Sequence, residues 1–180
     1  MSEVQTIRQP EAEKRTLGGI DIRAAIIAGL IAAVVFLILE MALLPLVGAS
    51  ATAPLNMIAA MVMGNEVLPP AALTVGIFLT AVIIHLALSI IYAFILAAFI
   101  NRRPSRQALT IGLIFGLVLF LANFYIFTAF FPWFAEARNW VSVVAHLAFG
   151  ATAAMVYIRA EAGSKGWAGG GGQRLEERTV

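Results

Sequence analysis

The chain has 180 residues, 61% of them hydrophobic and only 12% charged, with a net charge of +2. Soluble domains carry about 25% charged residues, and a chain this short has too small an interior to hide so much apolar surface. The composition therefore excludes a water-soluble protein and points to an all-α integral membrane fold. Cysteine is absent, which excludes disulfides, thiolate metal sites and thiol nucleophiles. The pI near 9.4 does not indicate nucleic acid, because the basic residues flank apolar segments instead of lining one face.

In chain order, residues 1–21 form a polar, mixed-charge N-terminal segment without a signal-peptide pattern. The apolar segment that follows is expected to be an uncleaved anchor. About 20 apolar residues cross a bilayer as a helix, and four segments meet that length: Ile22–Val47, Ala72–Ile100, Ala108–Phe131 and Trp140–Ile158. Together they define a membrane domain over residues 22–159. Between the first two lies GASATAPLNMIAAMVMGNEVLPP, too apolar for a plain linker, with Leu55–Gly64 predicted as a short interfacial or re-entrant helix. Its Met57, Met61 and Met63 either offer thioethers to Cu(I) or fill irregular packing. The loop FPWFAEAR brings Trp133 near Trp140, as interfacial aromatic anchors. Residues 160–180 read as a flexible tail, Gly-rich and then charged, with a docking helix over Gln173–Arg178 as an option.

Orientation follows from the basic flanks. Arg8, Lys14, Arg15 and Arg23 precede the first span, Arg102, Arg103 and Arg106 fill the second loop, and Arg159, Lys165, Arg174 and Arg178 follow the fourth. Only Arg138 falls on the other side. Both termini are predicted to be cytoplasmic.

The sequence also carries an internal echo. GLIAAVVFLILE, starting at Gly29, aligns with GLIFGLVLFLAN, starting at Gly112, and sets Glu40 over Asn123. HLALS at His85 matches HLAFG at His146. The offsets are 83 and 61 residues, and the extra first loop accounts for the difference. Two similarly oriented hairpins result, a parallel repeat of the kind known in transporters. Chance similarity between apolar helices is the alternative.

Glu40, His85 and Asn123 each lie 17 residues from a basic flank, and His146 lies 13 from Arg159. At 1.5 Å rise per residue these depths are roughly 25, 25, 25 and 20 Å, one polar layer toward the outer half of the bilayer. Small residues share the same helix faces, the mark of helix–helix contact. Ser89, Tyr92, Ser142 and Tyr157 are the secondary polar lining. An ionisable residue at such depth is by default a functional hypothesis. Four readings stay open. Glu40, His85, Asn123 and His146 form a proton or small-cation site. His85 and His146 are axial ligands of a haem b. Glu40, His85 and His146 hold a metal such as Zn²⁺, a His₂Glu set. In the fourth, the polar groups only fix helix packing. No bound cofactor is the leading expectation.

The string HLALSIIYA, the Glu40–Pro45 spacing and the late HLAFG resemble the YagU-type family of small multi-pass bacterial inner-membrane proteins of unassigned function. The likeness covers the four spans and singles out Glu40, His85, Ser89 and His146. It implies a bacterial inner-membrane location and supplies no substrate. No phosphate loop, zinc-protease helix or nucleophile motif is present, so enzyme activity is not expected. The sequence thus predicts a four-transmembrane-helix bundle embedded in lipid, with an acid–histidine layer for a proton or small cation. The alternative is an accessory or assembly subunit of a larger membrane complex; a homo-oligomer is a further option.

Overall fold

The computed structural model describes residues 16–170. The first fifteen residues and the predicted docking helix at Gln173–Arg178 lie outside the described residues. A two-residue-per-strand hairpin opens the fold, β1 (Thr16–Leu17) against β2 (Ile20–Asp21). Its turn uses Gly18 and Gly19 at φ of 58° and 86°, the positive-φ pair that a tight hairpin turn requires. Five α-helices follow: α1 (Ile22–Leu43), α2 (Ala53–Met63), α3 (Val75–Ile100), α4 (Ser105–Leu121) and α5 (Trp140–Gly170). Four helical stretches are long and apolar enough to cross a membrane, and α2 is the short one between the first two.

Local chemistry explains the helix ends. Asp21 Oδ1 accepts from the Ala24 amide at 3.0 Å and starts α1. Thr74 Oγ1 does the same for Ile77 in α3, and Asn139 Oδ1 accepts from Val141 and Ser142 to start α5. Such side-chain acceptors satisfy amides that have no partner in the first turn. Pro45 ends α1 in a single 3-10 turn, closed by Gly48 at φ 78°. The second span therefore begins at its Thr74 cap and not at Ala72. At its other end α5 continues past Ile158 to Gly170. Residues 159–165 contain good helix formers and no proline, so the helix runs into the segment predicted as flexible tail.

Helix faces follow the inverse of a soluble protein's pattern. In α1 the buried side is Ala24, Ala25, Ala28, Gly29, Ala32 and Ala33, while Ile31, Val34 and Ile38 are exposed. Small residues let membrane helices approach closely, and large apolar ones face lipid. The closest approaches use glycine. A Cβ on Gly29 would stand 2.8 Å from Ile90 Cα. One on Gly112 would strike the Gly150 carbonyl, and one on Gly116 the His146 carbonyl. α5 is the central helix: 50% of its apolar window is buried, against 28–33% for the other three. It packs along α1 and α4, and α1 also packs on α3. α3 meets α5 and α4 far less, and α2 packs against α3.

Candidate functional site

Under α2, at the end of the bundle away from the arginine-rich turns, is a cavity of about 400 Å³. Glu40 from α1, His85, Ser89 and Tyr92 from α3, Asn123 after α4 and His146 from α5 all line it. The α2 residues Met57 and Met61 help form its roof, and Ser50, Pro69 and Glu136 are exposed residues at its rim.

Three hydrogen bonds join helices through the polar layer. His85 Nε2 donates to the Ala33 carbonyl at 3.1 Å, tying α3 to α1. Tyr92 donates from its hydroxyl to Asn123 Oδ1 at 3.3 Å, tying α3 to α4. Asn123 Nδ2 donates to His146 Nε2 at 3.2 Å, tying α4 to α5. His146 completes the string by donating from Nδ1 to the Ser142 carbonyl at 2.7 Å. These roles are set by the partners: an amide N–H and a carbonyl leave one assignment for each ring nitrogen, a neutral imidazole protonated at Nδ1. Rings complete the enclosure of His146. Phe36, Phe120 and Phe124 stand 4.8, 5.9 and 5.3 Å away, centroid to centroid, each edge to face.

Asn123 owes its aim to a break in α4. Residues Ala122–Ile126 wind as a π-turn, a wide turn that often marks a functional position. Arg138 holds that turn from the following loop. Its Nε donates to the Phe124 carbonyl at 2.7 Å, and its guanidinium lies 4.5 Å from the Tyr125 ring centroid. This arginine, which breaks the basic-flank pattern, thus has a local structural role.

Glu40 differs from its neighbours. It is 4% exposed, and its Oε1 is a buried atom with no hydrogen-bond partner. The Ser142 hydroxyl faces it, yet the two do not reach hydrogen-bond geometry, and Ser142 Oγ is likewise buried without a partner. Among the described residues only one other buried side-chain atom is in this state, Asn101 Oδ1.

The Phe36 ring touches both imidazoles, 5.3 Å from His85 and 4.8 Å from His146, and both Nε2 atoms are hydrogen-bonded within the bundle. Among the described residues no group of three or more His, Asp or Glu side chains is arranged to hold a metal ion. Tyr157 lies away from the cavity. Its hydroxyl accepts from the Asp21 amide at 3.3 Å at the opposite end of the bundle, because α5 carries it three turns beyond His146.

Sequence reasoning missed Phe36, Asn56 and Arg138. Phe36 lies one helical turn before Glu40 and so shares its face, which was a usable signal. Asn56 is 1% exposed and donates to the Val67 and Ala71 carbonyls at 2.8 and 3.1 Å, fastening the first loop to α2. A lone amide in an apolar helix was its signal. Trp133 donates to the Met57 carbonyl at 3.0 Å, so it secures the roof.

Four helices long and apolar enough to span a membrane, packed around an acid–imidazole cavity, fit a helical membrane protein. More particularly, the chain belongs to DUF6789, a family of unknown function, which matches residues 20–166. That match carries no link to the YagU-type proteins. No curated protein and no solved structure matches the chain.

Proposed function

We propose that this is a non-enzymatic inner-membrane protein whose Glu40 carboxyl binds a proton or small cation inside the bundle. The observation that carries the reading is the partnerless Glu40 Oε1 in a cavity where Tyr92, Asn123 and both histidines are hydrogen-bonded. A carboxyl without a partner in an apolar interior is costly, so its retention is best explained by something it binds transiently. Asn123 and the two histidines act as positioning groups. Tyr92, Asn123 and His146 form a continuous string, but an amide at its centre does not pass protons on, which favours binding at Glu40 over a relay through the string.

The test is flux in liposomes loaded with a pH-sensitive dye. Wild-type protein should carry protons, or exchange them for a monovalent cation, and Glu40→Gln should abolish the signal while eluting normally in detergent. Equal flux from the variant would refute the site. An inert wild type that co-purifies with a larger complex in mild detergent would instead support an accessory subunit.

The arginines at one end of the bundle support cytoplasmic termini. Reporter fusions should show both ends inside; an external C-terminal reporter would overturn the orientation.

A further inference from the structure

The cavity is far larger than a proton or a bare ion needs. At about 400 Å³ it exceeds the roughly 30 Å³ of one water molecule by an order of magnitude and falls within the range of small-molecule pockets. Its wall is chiefly apolar, and seven Phe and Tyr rings contribute, among them Phe36, Tyr92, Phe124 and Phe149. Its titratable groups are Glu40, His85, Tyr92, His146 and Glu136, the last exposed at the rim, and neither lysine nor arginine lines it. Both imidazoles are held by carbonyls or an amide, which leaves the Glu40 carboxyl as the group free to answer a ligand charge.

Resting on the site proposed above, we propose that the cavity binds an organic ammonium ion with an apolar body, which competes with a proton for Glu40. Aromatic faces attract ammonium groups, a single carboxylate supplies the counter-charge, and the apolar wall takes the remainder of the molecule. Glu136 at the rim adds attraction of the same sign at the entrance.

The measurement is isothermal titration of full-length protein in detergent with benzyltrimethylammonium chloride, at constant ionic strength, with tetramethylammonium and sodium chlorides as comparison probes. Saturable one-to-one binding of benzyltrimethylammonium is expected, at least tenfold tighter than tetramethylammonium and weakened at least tenfold on lowering the pH from 8 to 5. Glu40→Gln should lose binding, and Glu40→Asp, which keeps the charge, should retain it. Heats no different from sodium chloride, or undiminished binding to Glu40→Gln, would overturn the proposal. If Glu40→Gln does not fold, the wild-type pH dependence and the Glu40→Asp titration still decide the matter. Proton flux that depends on Glu40, with no ammonium binding, would refute the ligand and leave the proton site standing. Loss of both would refute both.

Discussion

The hairpin of α1 and α3 and the hairpin of α4 and α5 make matching helix contacts but treat their polar residues differently. Gly29 lies against Ser89 and Ile90, and Gly112 lies against Gly150. These positions are related by the same offsets of 83 and 61 read from the sequence. Ala33 and His85 meet through a hydrogen bond, and their counterparts Gly116 and His146 meet through backbone contact. The caps correspond too, with Asp21 before α1 and Pro104 before α4. The hairpins part at the polar layer. Asn123 is stitched to Tyr92 and His146, whereas Glu40 keeps an atom without a partner. The polar residue of the second hairpin is bound into the bundle, and that of the first is the one on which the proposed site rests. The pairings between hairpins diverge as well: α1 packs extensively on α5, while α3 meets α4 far less.

The comparison can be broken most severely at the glycines. Gly116→Leu should destabilise the protein by about 3 kcal/mol or more, since overpacking commonly costs 1–3 kcal/mol and here the obstacle is backbone. Gly29→Leu should cost somewhat less, because its nearest neighbours are farther away. Thermal unfolding in detergent would rank them, and equal stability to wild type would refute the close approaches. Next, the histidines should differ. His146→Ala removes two hydrogen bonds and three ring contacts, His85→Ala one hydrogen bond and one ring contact. Each makes one interhelical bond, so the difference rests on the bond of His146 within α5 and its two further ring contacts; at about 0.5–1.5 kcal/mol per aromatic pair, His146→Ala should be the more destabilising by about 1–2 kcal/mol in the same assay. The smallest effect sharpens the comparison. Glu40→Asn, which gives the first hairpin the second's residue, should change stability by less than about 1 kcal/mol, since it replaces an unpaired carboxyl with a neutral group. A loss well beyond that would mean the carboxyl is already paired.

Much of this was legible in the sequence, for reasons that differ along the chain. Spans were readable because apolar length is dictated by bilayer thickness, and α2 because Leu55–Gly64 was too apolar to be a linker. The polar layer could be located because depth follows from counting 1.5 Å steps. What counting cannot give is rotation once a helix departs from regularity. Asn123 lies in a π-turn, where the 3.6-residue phase no longer applies, so its partner was not predictable. The same limit hid Phe36: its spacing put it on the Glu40 face, but only the packing of α3 and α5 against α1 brings both imidazoles against its ring. Tyr157 failed in the opposite way. Its face was correctly phased with His146, but sharing a face says nothing about sharing a depth.

One joint described above also serves as an optical device. Trp133 ties the loop after α4 to the Met57 carbonyl on α2, with Phe131 and Phe134 rings 5.4 and 6.1 Å away. The chain has three tryptophans. With Trp140→Phe and Trp167→Phe in place, ultraviolet emission would come from the roof fastening alone. Its colour distinguishes an indole held by a carbonyl among rings from one released to water. The lid over the cavity thus carries its own fluorophore, and its position can be followed in a cuvette without any added label.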